Sequence, residues 1–208
     1  MSKAKNQAEN SARPSLSKSV LNVPNQLTMI RLLLSLVMFV LIALEYYFVG
    51  MIVFIIAAGT DWLDGYWARK YGQITVLGRI LDPFADKIII CGSFVFLVAV
   101  PAMTETPWAL RAWMVVIVIA RELLVTTLRS VIERQGGDFS ARWSGKWKMV
   151  LQCIAVGTSL FYLSYAEPNT NAPPWSWWLM VLSIWSAMAL TVYSGLVYIL
   201  AAIRILRS

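Results

Sequence analysis

The sequence of 208 residues contains no histidine and only two cysteines. Without histidine, Ser-His and Cys-His nucleophilic schemes and histidine metal sites are excluded, so catalysis would have to use carboxylates, lysines, arginines or hydroxyls. Cys91 and Cys153 lie in apolar stretches, which predicts small core residues and not a disulfide or a metal site. Charged residues are scarce at 14%, whereas 59% of the residues are hydrophobic and the mean hydropathy is +0.65. This composition predicts an integral membrane protein.

Apolar stretches divide the chain after a polar tail at residues 1–20, which is rich in Ser, Asn and Lys. Each of six stretches is about long enough to cross a hydrocarbon core of roughly 30 Å. They lie near 28–48, 50–70, 78–100, 108–132, 146–166 and 176–203. The chain shows no internal repeat and no region of different composition that would mark a second domain. Residues 21–208 are therefore predicted to form one all-α membrane domain of six transmembrane helices.

Basic residues are confined to alternate connections, which predicts the topology. The tail, the stretches 69–87 and 129–148 and the C-terminus carry nearly all of them, and Arg111 is the exception. The other three connections carry glutamate but no Lys or Arg. By the positive-inside rule, both termini face the cytosol. The net charge of +7 is therefore explained by topology, and no nucleic-acid partner is predicted.

Four aspartates stand at the cytosolic edge predicted for the second and third spans: Asp61, Asp64, Asp82 and Asp86. Carboxylates near a bilayer need a partner. Spacings of three and four residues place each pair on one helix face, so two helix ends would offer four carboxylates to one volume. One or two divalent cations would offset their repulsion, and hard oxygen ligands favour Mg²⁺ or Mn²⁺. Pro83 is expected in the first turn of the third helix. The alternative is solvated loop acids neutralised by neighbouring Arg and Lys.

The same stretch resembles the signature of the CDP-alcohol phosphotransferases, membrane enzymes that make phospholipid head groups. The pattern D-x2-D-G-x2-A-R-x8-G-x3-D-x3-D is matched without a gap by Asp61, Asp64, Gly65, Ala68, Arg69, Gly78, Asp82 and Asp86. The resemblance implies two Mg²⁺ or Mn²⁺ ions held by the four aspartates, Asp86 as general base, and Gly65, Ala68 and Arg69 in the nucleotide pocket. It also implies a homodimer and a multi-pass protein of the bacterial inner membrane, with its active site facing the cytosol.

The start of the first span allows two interpretations. Asn25, Thr28 and Arg31 fit a capped helix with a snorkelling arginine. The resemblance instead implies that these three side chains face the cytidine and diphosphate of CDP-diacylglycerol, with Thr75 as a weaker candidate contact. The form P-N-x-L-T-x-x-R looks like the phosphatidylglycerophosphate synthase branch of the family.

A second group of charges lies in the fourth and fifth spans. Arg121 and Glu122 stand deep in an apolar segment, where an ionic pair is functional by default. Arg129 follows two turns later, and Lys146 and Lys148 begin the next span. The four basic residues predict a cationic pocket for an acceptor that carries its own phosphate. The motifs R-E-L-x5-R and G-K-x-K again resemble phosphatidylglycerophosphate synthases, whose acceptor is sn-glycerol 3-phosphate.

The leading hypothesis is therefore a phosphatidyltransferase that converts CDP-diacylglycerol and glycerol 3-phosphate into phosphatidylglycerophosphate and CMP, by two-metal phosphoryl transfer with an aspartate base. A cardiolipin or phosphatidylinositol phosphate synthase is the first alternative, because those acceptors also carry phosphate. A small cation transporter is a more distant alternative, since it would place the acids near the bilayer midplane. A catalytically inactive structural subunit leaves the intact signature unexplained.

Overall fold

The described part of the chain is entirely helical. The computed structural model describes residues 23–71, 76–134, 143–165 and 172–207, and the side chains of 25–60, 81–132, 147–165 and 172–203. Within these ranges there are seven helices and no strand. They are α1 Val23–Ala43, α2 Tyr47–Tyr71, α3 Val76–Ala99, α4 Pro101–Glu105, α5 Ala112–Arg134, α6 Trp143–Leu163 and α7 Pro174–Arg207.

Six long helices match the six apolar stretches, and local chemistry accounts for several of their ends. α4 and α7 each begin at a proline, whose missing N–H leaves no bond unmade in a first turn. α1 ends in a Schellman motif: Glu45 has a φ of 66°, and Tyr46 N–H donates to the carbonyl of Leu41 at 2.9 Å. This turn folds α2 back along α1.

Three details differ from the sequence-based expectations. The connection predicted at 101–107 contains the short helix α4, and α7 extends beyond 176–203 at both ends. Pro83 lies inside α3 and not in its first turn, because α3 begins at Val76. Because proline has no N–H, the carbonyl four residues earlier in the helix loses its usual hydrogen bond. The apolar pattern placed that start at 78, two residues late, and a proline at 83 lies beyond the first turn from either start.

The polarity of α1 is inverted relative to a helix of a water-soluble protein. Thr28, Arg31 and Ser35 share one face and are 0%, 1% and 0% exposed, whereas Leu33 and Val40 on the opposite side are 63% and 57% exposed. Exposed apolar side chains around a buried polar face are expected where the surrounding medium is hydrocarbon. Asn25–Ala43 and Pro174–Ile203 are also long and apolar enough to cross a bilayer, while Tyr47–Thr60 and Trp147–Leu163 are shorter apolar segments. These features are typical of a membrane protein.

Helix α3 occupies the centre of the arrangement. It packs against α1, α5 and α6, while α7 packs against α5 and α6. The α1–α3 contacts join residues 54 or 55 positions apart along both helices, so the two helices run parallel. Phe39 of α1 stacks on Phe96 of α3, with ring centroids 4.8 Å apart. The cytosolic ends predicted for the first and third spans are thereby placed side by side.

Candidate active site

The beginning of α1 contacts two aspartates of α3 directly. Thr28 Oγ1 donates a short hydrogen bond to Asp82 Oδ1. One turn along both helices, Arg31 Nη1 donates to Asp86 Oδ1 at 2.7 Å. The Arg31 side chain is 1% exposed and that of Asp86 is 31% exposed. The arginine therefore does not snorkel, and the carboxylate of Asp86 keeps an open side.

The parallel packing of α1 and α3 explains why these pairs form. Asp82 and Asp86 are four residues apart and share one face of α3, and Thr28 and Arg31 are three apart on α1. Farther along the two helices, Gly92 of α3 allows α1 to approach closely, because a Cβ at this position would overlap the ring of Phe39. Sequence reasoning assigned Thr28 and Arg31 to the nucleotide and missed this pairing. The signal that could have predicted it is the spacing, because Thr28 and Arg31 lie about one helical turn apart, as Asp82 and Asp86 do.

The oxygen donors of this cluster fit a divalent cation. Asp82 and Asp86 present two carboxylates on one helix face, and hard cations such as Mg²⁺ and Mn²⁺ prefer that donor type. Asp61 and Asp64 lie on the later part of α2, but their side chains lie outside those described. Among the described side chains no group of three His, Cys, Asp or Glu is close enough to hold a metal. The described pair is thus one half of the predicted set of four.

Of the remaining candidates for the nucleotide pocket, the structure describes the side chain of only one, Asn25. Asn25 is buried on the first turns of α1, at 3% exposure. Gly65, Ala68 and Arg69 lie on α2, and their side chains are outside the described set. Thr75 lies outside the described residues. Their roles toward the nucleotide remain predictions.

A second polar cluster joins α5, α6 and α7. Lys148 of α6 donates a short hydrogen bond to Glu122 Oε1 of α5, and Arg121 Nη1 lies 3.4 Å from the same oxygen. Arg121 Nη2 donates to Ser194 Oγ of α7 at 3.0 Å. The three charged side chains are only 6 to 14% exposed. The predicted Arg121–Glu122 pair is present, and Lys148 extends it into a triad that sequence reasoning missed.

The Arg121 side chain packs against residues of α7. The Arg121 guanidinium carbon lies 5.6 Å from the centre of the Tyr198 ring, within the range of a cation–π contact. A Cβ added at Gly195 would lie 3.2 Å from Arg121 Cγ, so glycine gives the side chain its space. Together with the hydrogen bond that Arg121 donates to Ser194, these contacts fix the guanidinium in one place.

Two guanidinium nitrogens of α5 are buried without a hydrogen-bond partner among the described residues. They are the Nε atoms of Arg121 and Arg129. A buried donor that stays unmatched costs about 1–3 kcal/mol, and more when it is charged. Such donors are available for an anion. Of the other two predicted pocket residues, Lys148 is bound to Glu122, and the side chain of Lys146 lies outside those described.

The two clusters are neighbours through α3. Lys87 of α3, next to Asp86 in the chain, lies close enough to Lys148 for their charges to interact, as does Arg121. α3 packs directly against α5 and α6. A carboxylate pair and a buried cationic group therefore flank the same stretch of α3. A molecule that carries both a hydroxyl and a phosphate could contact both groups.

Comparison with known proteins agrees with this arrangement of charges. Residues 21–193 match the family model of the CDP-alcohol phosphatidyltransferases. The chain belongs to this family. It is a phosphatidyltransferase, and the region matched includes α1 to α6, all four aspartates and the Arg121–Glu122–Lys148 triad.

Curated relatives within the CDP-alcohol phosphatidyltransferases are similar over most of the chain. Proteins named CDP-diacylglycerol–glycerol-3-phosphate 3-phosphatidyltransferase occur in Bacillus subtilis and Haemophilus influenzae, and these are 35% and 33% identical. The alignments cover 85% and 74% of this chain and 93% and 77% of the relatives. A protein of the same name from Salmonella choleraesuis is 31% identical, over 87% of this chain and 94% of its own length.

Proposed function

We propose that this chain transfers a phosphatidyl group from CDP-diacylglycerol to sn-glycerol 3-phosphate, giving phosphatidylglycerophosphate and CMP. The observation that carries the proposal is the position of a buried cationic group beside the aspartates of α3. An acceptor with a hydroxyl at one end and a phosphate at the other fits two neighbouring sites of opposite charge. The names of the curated relatives give the same donor and acceptor for those proteins.

The donor half of the site would use the four aspartates. Asp61, Asp64, Asp82 and Asp86 would hold two Mg²⁺ or Mn²⁺ ions, which when bound neutralise the diphosphate and stabilise the leaving oxygen. Asn25, Thr28, Arg31, Gly65, Ala68, Arg69 and Thr75 would surround the CDP part of the donor. Arg69 could add a bidentate contact to phosphate.

Asp86 would act as the general base. Its carboxylate takes the proton of the glycerol 1-hydroxyl, while the hydroxyl oxygen forms a bond to the phosphatidyl phosphorus and the bond from that phosphorus to CMP breaks. The Arg31 contact to Oδ1 fixes the orientation of the Asp86 carboxylate. The exposure of Asp86 on its other side leaves room for the acceptor.

The acceptor's phosphate would bind among Arg121, Arg129, Lys146 and Lys148. The unmatched Nε donors of Arg121 and Arg129 supply the directional contacts, and guanidinium groups suit phosphate geometry. Serine, choline or ethanolamine acceptors carry no phosphate and would leave these donors unmatched.

The setting proposed for this reaction is a multi-pass protein of the bacterial inner membrane, active as a homodimer. The six long helices would be six spans with both termini and the active site on the cytosolic side. The alternating charge of the connections and the inverted polarity of α1 support this topology. Cysteine-accessibility labelling of single cysteines placed in the tail and in the 101–107 connection tests it: only the latter should react from outside.

One assay tests the function as a whole. Purified protein is supplied with CDP-diacylglycerol, Mg²⁺ and a panel of radiolabelled acceptors: glycerol 3-phosphate, inositol phosphate, phosphatidylglycerol and serine. Label should enter lipid from glycerol 3-phosphate. A preference for inositol phosphate or phosphatidylglycerol would identify a phosphatidylinositol phosphate or cardiolipin synthase instead, and transfer to serine would exclude the cationic group as an acceptor site.

A further inference from the structure

We infer that Glu122 is a positioning residue for the acceptor site, and that Lys148 acts through Glu122 and does not itself bind the acceptor's phosphate. The phosphate then depends on Arg121, which Glu122 and α7 hold in place, and on Arg129. The inference rests on the proposed function, because it divides roles among the residues of that same site.

The contacts of Glu122 carry the argument. Its Oε1 accepts from Lys148 of the neighbouring helix and lies 3.4 Å from Nη1 of Arg121. The Glu122 side chain is 14% exposed and that of Lys148 is 6% exposed. One carboxylate oxygen thus links α5 to α6 and restrains the guanidinium beside it. A carboxylate so placed orients both cations before any ligand binds.

The charge balance explains why Lys148 needs this carboxylate. An ammonium group buried without a counter-ion is strongly destabilising, and so is breaking a buried ion pair by removing one partner. A phosphate that recruited Lys148 would have to remove it from Glu122 and leave the carboxylate facing the incoming anion. Binding the phosphate elsewhere avoids both penalties.

The unmatched donors indicate where the phosphate goes. Arg121 uses Nη1 toward Glu122 and Nη2 on Ser194, and its Nε is buried without a partner in the described part of the chain. Arg129 has the same unmatched Nε and lies close enough for its charge to act on Arg121. Glu122 therefore faces Nη1 of the Arg121 guanidinium, and the buried Nε is the donor that has no protein partner in the described part of the chain.

Removing both members of the Glu122–Lys148 pair separates a positioning role from direct binding. In the full-length protein, Glu122→Gln leaves the buried Lys148 without its carboxylate, and Lys148→Met leaves the negative charge of Glu122 offset by Arg121 alone, where it competes with the acceptor's phosphate. Each single variant should therefore raise the KM for glycerol 3-phosphate roughly tenfold or more. The double variant leaves no unpaired ammonium or carboxylate, and the amide oxygen introduced by Glu122→Gln can still accept from Arg121 Nη1, so its KM should fall well below that of either single variant. The KM for CDP-diacylglycerol should change much less than the KM for glycerol 3-phosphate, because Glu122 and Lys148 lie in the acceptor half of the proposed site. Protection against thermal unfolding by glycerol 3-phosphate gives a readout independent of turnover.

Several results would overturn the inference. If Lys148 binds the phosphate directly, the double variant will have a KM as high as that of Lys148→Met alone. A double variant that does not fold would also count against it, because mutual neutralisation should restore a stable pair of helices. Glu105→Gln, which alters an exposed carboxylate at the end of α4, is the matched control and should change no constant.

The activity of the wild-type protein shows whether the proposed function or only the inferred role of Glu122 and Lys148 is wrong. If the wild-type protein makes no phosphatidylglycerophosphate from glycerol 3-phosphate, the proposed function is wrong. If the wild-type protein makes it and the double variant shows no recovery, the function stands and only the division of roles fails.

Discussion

Arg31 of α1 holds Asp86 of α3 through a contact of 2.7 Å between Nη1 and Oδ1. The contact joins an almost fully buried guanidinium to a carboxylate that is still partly exposed, so one oxygen of Asp86 is fixed while the group remains accessible. A general base needs both properties: a defined orientation and a free path to the proton that it removes. The pairing also ties α1 to the aspartates for which we propose the metal-binding and catalytic roles.

Asp86→Asn should separate loss of the base from loss of substrate binding. Asparagine keeps the size of the side chain and one oxygen ligand but cannot take a proton, so kcat should fall by roughly 10²-fold or more. CDP-diacylglycerol binding should be largely retained. Asp61→Asn, at a position predicted to hold metal for the diphosphate, should weaken donor binding as well. Substrate titration and single-turnover transfer measure the two effects, and near wild-type transfer by Asp86→Asn would assign the base to another group.

The transfer rate should depend on both the charge and the planar shape of the Arg31 guanidinium. Arg31→Gln leaves Asp86 without its cation, and we expect the transfer rate to fall by about tenfold or more, within the range of a lost charge-assisted bond. Arg31→Lys keeps the charge but loses the planar fork, so it should recover part of that rate and not all of it. Pre-steady-state transfer at saturating donor gives the rates. Full activity in Arg31→Gln would show that the contact to Asp86 is dispensable.

The sequence predicted the two groups of charges and the Arg121–Glu122 pair, but not the contacts that join different helices. Spacing along one helix relates Asp82 to Asp86 because the helical repeat fixes it. The pairing of Arg31 with Asp86, or of Lys148 with Glu122, depends on which helices are neighbours and in which register. That register is set by packing such as Phe39 against Gly92, a size match that hydropathy does not report. The interior position of Pro83 did follow from the pattern, because Val76, Leu77, Ile80 and Leu81 are apolar and a stretch that begins at 78 already places residue 83 past the first turn.

Metal dependence should be complete. The predicted donor set contains carboxylates and no histidine, and chelation with EDTA should therefore abolish transfer, with Mg²⁺ or Mn²⁺ restoring it. Ca²⁺ has longer, more variable coordination and should restore less activity. The measurement is lipid product against metal concentration in chelator-treated protein. Undiminished transfer in rigorously metal-free protein would contradict the proposed two-metal site.

Gly92 should be intolerant of even one methyl group. A Cβ there would overlap the Phe39 ring, which is 7% exposed and stacked on Phe96, so the ring has little freedom to move away. We expect Gly92→Ala to destabilise the protein by about 1–3 kcal/mol, as overpacking commonly does, and to lower activity by separating α1 from α3. Thermal unfolding in detergent measures the first effect. Gly157→Ala is the control, because no atom lies within 4 Å of a Cβ at that position.

If overpacking is the cause at Gly92, a smaller partner should relieve it. The double variant Gly92→Ala with Phe39→Leu makes room for the new methyl group and should recover part of the lost stability. A double variant less stable than Gly92→Ala alone would place the strain elsewhere in the α1–α3 contact.

Gly195 offers a way to move Arg121 without touching any charge. A Cβ there would stand 3.2 Å from Arg121 Cγ, closer than a comfortable contact, while Ser194 and Tyr198 hold the guanidinium beyond it. Gly195→Ala should therefore shift the guanidinium by a few tenths of an ångström. Since directional hydrogen bonds to phosphate weaken with such displacement, we expect the KM for glycerol 3-phosphate to rise about three- to tenfold. The KM for CDP-diacylglycerol and the melting temperature should change little. Equal loss for both substrates would mean that α7 supports the whole site and not the acceptor pocket alone.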